Sequence, residues 1–317
     1  MDTCINCGNN DFSIFHDKCR GNLKIDTLEC NYCKLVFSSK VFTTEQKDLD
    51  QFYEKEYADN YYEGLKADIK LNFENRLPYQ HTRIRRIESI LTRPVSLIEI
   101  GCAPGYFLHV CKKNKIANVT GIEMNSSERN FVNNELGIRC FKSIEDVQGE
   151  KFDIIAMFQL LEHTANPIDF IQNCLSLLKK GGHLVVEVPC LTNPLVSFYN
   201  VTSFKDSIFF QEPHLYYFHP EILVQIMRRF TKKENIKISL FQESSFINHY
   251  NWAVHNKQSR DRATAITDEY PIDLSSCTDS NNILADLGLL YADFNKKYKK
   301  LLSKNGYGDY LLVIAKM

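Results

Sequence analysis

Between Leu97 and Val188 the chain alternates short apolar runs with segments whose apolar residues recur at helical spacing. Leu97–Ile100, Val119–Ile122, Ile138–Phe141, Phe152–Phe158 and His183–Val188 read as strands. The segments opening at Tyr106, Ser126 and Pro167 read as helices, the second closed by Gly137 and the third by Gly181-Gly182. Phe152–Phe158 is almost wholly apolar, as expected of a strand buried on both faces of a parallel sheet. Strand–helix alternation of this kind predicts an α/β fold. Further on, Pro220–Phe230 reads as a helix, Ile236–Phe241 as a sixth strand and Gly306–Lys316 as a seventh. An amphipathic helix is expected near Ile283 to Leu302, inside an insertion at about 245–305. Upstream, Thr43–Asp59 reads as a helix, with Thr43 and Gln46 spaced as a capping box.

The run Leu97-Ile98-Glu99-Ile100-Gly101-Cys102-Ala103-Pro104-Gly105 joins a strand to a helix through a tight turn in which Gly101 and Gly105 let the backbone bend. Glu123 follows the next strand, where a carboxylate can accept both hydroxyls of a ribose. A dinucleotide fingerprint, G-x-G-x-x-G, would place glycines where this chain has Ala103 and Tyr106. A pyrophosphate, and with it an NAD(P) oxidoreductase, is therefore disfavoured.

Cys4-x-x-Cys7 and Cys30-x-x-Cys33 are two knuckles whose four thiolates suit tetrahedral zinc in a closed, structural site. No signal-peptide pattern or long apolar run is evident, so a cytoplasmic chain with reduced thiols is expected and disulfides are not. His16 and Cys19 lie between the knuckles and read as loop residues, and the remaining six cysteines as small core residues. The net charge of −1 leaves little to attract phosphates, and residues 1–40 balance five basic against five acidic side chains. Nucleic acid is thus disfavoured as a partner. Arg83, Arg85, Arg86 and Arg93 form the best basic cluster and read as a solvated helix face.

The Glu99–Gly105 turn resembles motif I of the class I S-adenosylmethionine (SAM) methyltransferases, and Leu161-Glu162-His163 followed by Pro167 resembles that family's segment after strand 4. The family usually carries glycine at position 103. The resemblance implies a Rossmann-like seven-stranded sheet with strand 7 antiparallel between strands 5 and 6. It also implies SAM as cofactor and S-adenosylhomocysteine as product. Cofactor contacts carry over to Glu99, Gly101, Ala103, Gly105, Glu123 and Met124, to Ser143, Ile144 and Glu145 beside the adenine, and to Phe158 and Gln159.

A two-CxxC module followed by a tyrosine-rich helical segment (Tyr57, Tyr61, Tyr62) is similar to bacterial sugar methyltransferases, in which such tyrosines fold over the site. The organisation expected is a zinc module at 1–42, a helical lid at 43–94 and a methyltransferase domain at 95–317. Glu212–Pro220 is similar to an E-H-x-x-x-F segment whose histidine serves as base, which makes His214 the first candidate base, His163 the second and Tyr61 a further catalytic candidate. Pro213 stands where that family often has the glutamate preceding the histidine. The sugar C-methyltransferases carry a further C-terminal domain not seen after strand 7, so O-methylation of a carbohydrate, nucleotide-linked or capsular, is the expected activity. Sugar C-methylation, RNA methylation through the zinc module, and a non-catalytic SAM-binding partner protein are the alternatives.

Overall fold

The computed structural model describes residues 2–55, 69–77, 80–91, 95–258 and 281–317. Among these, seven strands form one sheet: β4 (Val95–Ile100), β5 (Ala117–Ile122), β6 (Arg139–Phe141), β7 (Phe152–Phe158), β8 (Leu178–Pro189), β10 (Ile236–Phe241) and β11 (Tyr310–Lys316). Their order is β10-β11-β8-β7-β4-β5-β6. β11 runs antiparallel to both neighbours and the β8-β7-β4-β5-β6 pairings are parallel. The expected α/β fold, with its seventh strand antiparallel between the fifth and sixth, is the fold observed.

Side-chain alternation along the central strands divides the core into two layers. Ile98, Ile155, Met157, Leu184, Val186, Leu311 and Val313 face one way, onto α6 (Pro167–Leu175) and α7 (Pro220–Met227). Leu97, Ile154, Ala156, Val185, Leu312 and Ile314 face the other, onto α3 (Gln80–Ile87), α4 (Tyr106–Lys113) and α5 (Ser126–Asn134). Each such buried aliphatic side chain contributes about 1.5–3 kcal/mol. Asn125 caps α5 and Asn166 caps α6, each accepting from two backbone amides, and Pro167 opens the latter.

Two boundaries differ from the sequence pattern. The helix from Pro167 ends at Leu175, and β8 begins at Leu178, so Gly181-Gly182 lies inside the strand rather than closing the helix. A Cβ on Gly182 would stand 2.9 Å from the Asp153 carbonyl oxygen, so this glycine allows close strand approach. The first helix, α1, spans Gln46–Lys55 and the next among the described residues, α2, spans Ile69–Arg76, with an earlier turn at Ser39–Phe42 ended by Thr43. The capping box is therefore absent: the Thr43 hydroxyl donates to the Lys40 carbonyl, and Gln46 points elsewhere. Residues 56–68 lie outside the described residues, and with them Tyr57, Tyr61 and Tyr62.

The N-terminal strands β1 (Phe12–His16), β2 (Thr27–Cys30) and β3 (Val36–Ser38) form an antiparallel sheet that takes its fourth strand, β9 (Tyr216–Tyr217), from beyond β8. Phe37 packs edge-on against Phe12 and Phe42 and is buried, joining the module to the first core layer. Between β10 and β11 lie α8 (Phe246–His255) and α9 (Asn281–Lys304).

Candidate active site

The four knuckle cysteines converge. Cys4 Sγ lies 3.5 Å from Cys33 Sγ, Cys7 Sγ lies 3.5 Å from Cys30 Sγ, and all four sulfurs are within 4.8 Å of one another. A tetrahedral ion at about 2.3 Å from each sulfur requires separations of roughly 3.8 Å, so the cluster fits zinc. The two turns are built alike: Gly8 N donates to the Cys4 carbonyl and Lys34 N to the Cys30 carbonyl, with φ +76° and +66°. His16 pairs with Asp206 at 2.9 Å, and the Cys19 thiol donates to the Phe210 carbonyl, so both have structural partners outside the cluster.

At the C-terminal ends of β4, β5 and β7 the turns open a cavity of ≈ 660 Å³, the position where open α/β sheets bind ligands. Ile122 O accepts from both Gly101 N and Cys102 N, which folds the turn after β4 tightly back onto β5. Gly101 adopts φ +70° and Ala103 φ +50°, so the alanine occupies a conformation that glycine takes at lower cost. Glu99, Gly101, Ala103, Glu123, Met124, Ser143, Ile144, Glu145, Phe158 and Gln159 all line the cavity. Gly105 does not: it opens α4 at φ +80°, and a Cβ there would meet Val132 at 3.0 Å and Leu136 at 3.1 Å. Its role is helix packing.

Glu99 is 3% exposed, and its Oε2 has no hydrogen-bond partner. Burial pushes its carboxyl up to about 8, although the Arg83 guanidinium opposes the shift. Glu123 accepts from Ala103 N and Asn125 N, each at 2.8 Å. An orphaned acidic oxygen beside a glycine turn, with a second carboxylate at the next strand tip, fits a ligand carrying an ammonium group and a ribose.

Arg83 and Arg86 overturn the solvated-face reading. Both turn inward to Glu187, which is 2% exposed, at 3.1 and 2.9 Å. Arg83 also lies over Phe158 and Arg86 over Phe241. Arg85 donates to its neighbour Thr82 at 3.2 Å, and Arg93 lies outside the described residues. The cause lies far away in sequence: a helix pattern on its own cannot reveal that β8 places an acid beneath it.

α1 covers the other side. Gln46, Asp50 and Tyr53, spaced at one helical face, line the cavity. Gln46 accepts from Ala165 N, Glu54 pairs with Lys142, and the Tyr53 hydroxyl lies 2.7 Å from His163 Nδ1. His163 lines the cavity, and burial pulls its imidazole down to about 4. His214 is 8% exposed, lies behind His163 with ring centroids 4.7 Å apart, and is absent from the cavity lining. Burial likewise holds it well below the usual imidazole range. The acid near His214 is Glu162, since Glu212 turns away to Lys40 at 2.9 Å. His219 caps α7, accepting from Glu221 N, as a structural residue.

Residues 73–230 match the family model described as a methyltransferase domain. A ubiquinone biosynthesis O-methyltransferase of Coxiella burnetii is 30% identical over 111 residues, covering 32% of this chain and 47% of that protein. Its counterpart in Glaesserella parasuis is 36% identical over 104 residues, covering 28% and 43%. The chain thus spans about half the length of the curated relatives it matches. A SAM-dependent methyltransferase structure from Archaeoglobus fulgidus aligns over 79% of this chain and 100% of its own at 20% identity and TM-score 0.49.

Proposed function

We propose that this SAM-dependent methyltransferase, whose residues 73–230 match a methyltransferase domain, methylates a hydroxyl oxygen of a small polar acceptor, a carbohydrate being the class favoured. The observation that carries the reading is the cavity itself. Its Glu99–Gly105 turn and Glu123 suit the methionine and ribose parts of SAM, while Gln46, Asp50, Tyr53, Asn166 and Asp169 offer a polar wall to an acceptor rich in hydroxyl groups. The names of the curated relatives support transfer to oxygen.

SAM supplies an electrophilic methyl on a good leaving group, so the protein has to align the acceptor oxygen with it and keep water out. α1 closes the cavity, and Tyr53 holds the His163 ring through Nδ1. His163 is the residue positioned to meet the acceptor hydroxyl, with His214 behind it. Neutral imidazole can accept a hydrogen bond from that hydroxyl as the carbon–oxygen bond forms.

Calorimetric titration with SAM and S-adenosylhomocysteine, with NADH as control, tests the cofactor. Micromolar binding of the first two alone is expected, weakened at least tenfold by Glu123→Ala. Binding of NADH in their place would overturn the reading. Transfer of labelled methyl to a panel of nucleotide sugars, free glycans and phenols then tests the acceptor. Labelling confined to phenols would reject the carbohydrate.

A further inference from the structure

We propose that Glu162, His163 and His214 form a binding site for a single divalent transition-metal ion at the inner end of the cavity. The chemistry assigned to that ion rests on the methyl-transfer reading, but its binding does not.

Three buried atoms carry the inference. Glu162 is 1% exposed, yet neither of its carboxylate oxygens has a hydrogen-bond partner. Nδ1 of His214, a residue 8% exposed, has none either. Leaving several polar atoms unpaired at one buried point costs roughly 1–3 kcal/mol each, so folded proteins place a water or an ion there. Here one ligand atom from each of the three residues lies within 4.8 Å of the others. Three ligands on one ion at about 2.1 Å stand about 3.4 Å apart in a tetrahedral arrangement, and His163 Nε2 and Glu162 Oε1 are already 3.9 Å apart, so side-chain rotations that bring the atoms together by up to about 1.4 Å complete the site.

The surroundings favour an ion over a water. His163 Nδ1 lies 3.1 Å from the Pro213 carbonyl oxygen and 2.7 Å from the Tyr53 hydroxyl oxygen; in the tautomer protonated at Nδ1 both oxygens accept and Nε2 keeps its lone pair for an ion. Metal-ligating histidines are fixed in this way, by donating the remote N–H to a carbonyl. Tyr53 steadies the same ring at 2.7 Å. The backbone is fixed as well: Leu215 N donates to the Glu162 carbonyl at 2.8 Å, and Ser38 N to the Leu215 carbonyl at 2.9 Å. Two imidazoles and one carboxylate suit manganese, iron, cobalt or zinc in the divalent state better than magnesium or calcium, which prefer all-oxygen shells.

Of the three ligands His163 alone is part of the cavity wall, so a position left open beside that ring faces the cavity. With His163 Nε2 on the ion, the acceptor hydroxyl meets the ion in place of the imidazole and is acidified there. Its proton passes to solvent, its oxygen forms the new bond to the methyl carbon, and the carbon–sulfur bond breaks with its electron pair remaining on sulfur.

The test uses the full chain. Elemental analysis counts bound ions, and electron paramagnetic resonance follows uptake of Mn²⁺, which a four-thiolate site disfavours. The expected result is a second ion per chain beside the cysteine-bound zinc, or one Mn²⁺ taken up with micromolar affinity. Glu162→Gln and His214→Gln are each expected to weaken uptake at least tenfold, with S-adenosylhomocysteine binding unchanged by calorimetry. A wild-type chain holding one ion and taking up no Mn²⁺ to 1 mM would overturn the proposal, as would variants that bind Mn²⁺ like wild type. Mn²⁺ uptake without SAM binding would retain the ion site and reject the methyl-transfer reading, so the two failures are distinguishable.

Discussion

Glu187→Gln tests whether the inward-turned arginines are held by a buried acid. Glu187 sits on β8 with its Oε1 3.1 Å from Arg83 and its Oε2 2.9 Å from Arg86. Arg86 is 7% exposed and the acid 2%, whereas Arg83 is 23% exposed and better screened by solvent. Breaking one side of a buried pair costs about 3–5 kcal/mol, because the remaining charge is left without its partner. Arg86 retains Glu243 at 2.7 Å, so the lower end applies, about 3 kcal/mol. With a urea dependence of about 3 kcal/mol per molar, the unfolding midpoint falls by about 1 M. Circular dichroism in urea measures the shift. The double variant Glu187→Met/Arg86→Met removes the central pair but leaves Arg83 and Glu243 without their partners, so its midpoint is expected to recover only part of the loss. A loss below about 1 kcal/mol for Glu187→Gln, the range of an exposed ion pair, would refute the buried clamp.

Three further outcomes follow from the geometry. Glu99 is raised to about 8 by burial, so its ionisation in the folded protein costs stability that grows as pH rises above its unfolded range near 4.3 and is complete above about 8. A cationic ligand lowers that value, so SAM affinity should rise with pH up to about 8 and then level off, with proton release seen by calorimetry in two buffers; a flat profile would remove Glu99 from the ligand's surroundings. Gly121→Ala places a Cβ 2.7 Å from Cys102 Sγ and 3.0 Å from Cys140 Sγ, which should destabilise the fold by roughly 1–3 kcal/mol in a urea titration and weaken SAM binding. Cys30→Ser should reduce the zinc bound at the knuckles from one ion to none by elemental analysis, with acceptor turnover lost more completely than SAM binding; full zinc retention would exclude the four-cysteine site.

The sheet was legible because its strands carry local signals. β7 is apolar throughout except at Asp153, and the parallel pairings follow from strand–helix alternation without long-range information. The turn residues were legible too, since Gly101 at φ +70° is a local requirement. What escaped was set by partners distant in sequence. The inward turn of Arg83 and Arg86 depends on Glu187, about a hundred residues away. The nearness of Glu162 to His214 depends on one backbone bond, Leu215 N to the Glu162 carbonyl. Gly105 looked like a ligand contact because motif spacing cannot distinguish a glycine that faces the cavity from one that lies under a helix. The left-handed Gln159, φ +57°, had no sequence signal, as glutamine is not selected for that conformation; strain of this kind gathers at functional sites.

The cysteine module and the histidine pair are mechanically one unit, and this bears on why such a module precedes the domain. Cys30 N donates to the Leu35 carbonyl, closing the second knuckle directly onto β3. β3 then pairs Val36 with Tyr217 and Phe37 with Tyr216, and Ser38 N donates to the Leu215 carbonyl. Leu215 in turn holds the Glu162 carbonyl. Four backbone links thus run from a cysteine knuckle to the residues flanking His214, through a strand whose three residues are all buried. β9 is only two residues long, and isolated short pairings are marginal in water. Its geometry therefore depends on the three-stranded sheet beside it, which is small and needs cross-linking to hold its shape. An ion held by the four cysteines would supply that cross-link, and the module would then contribute to the site the rigidity of the loop that carries His214.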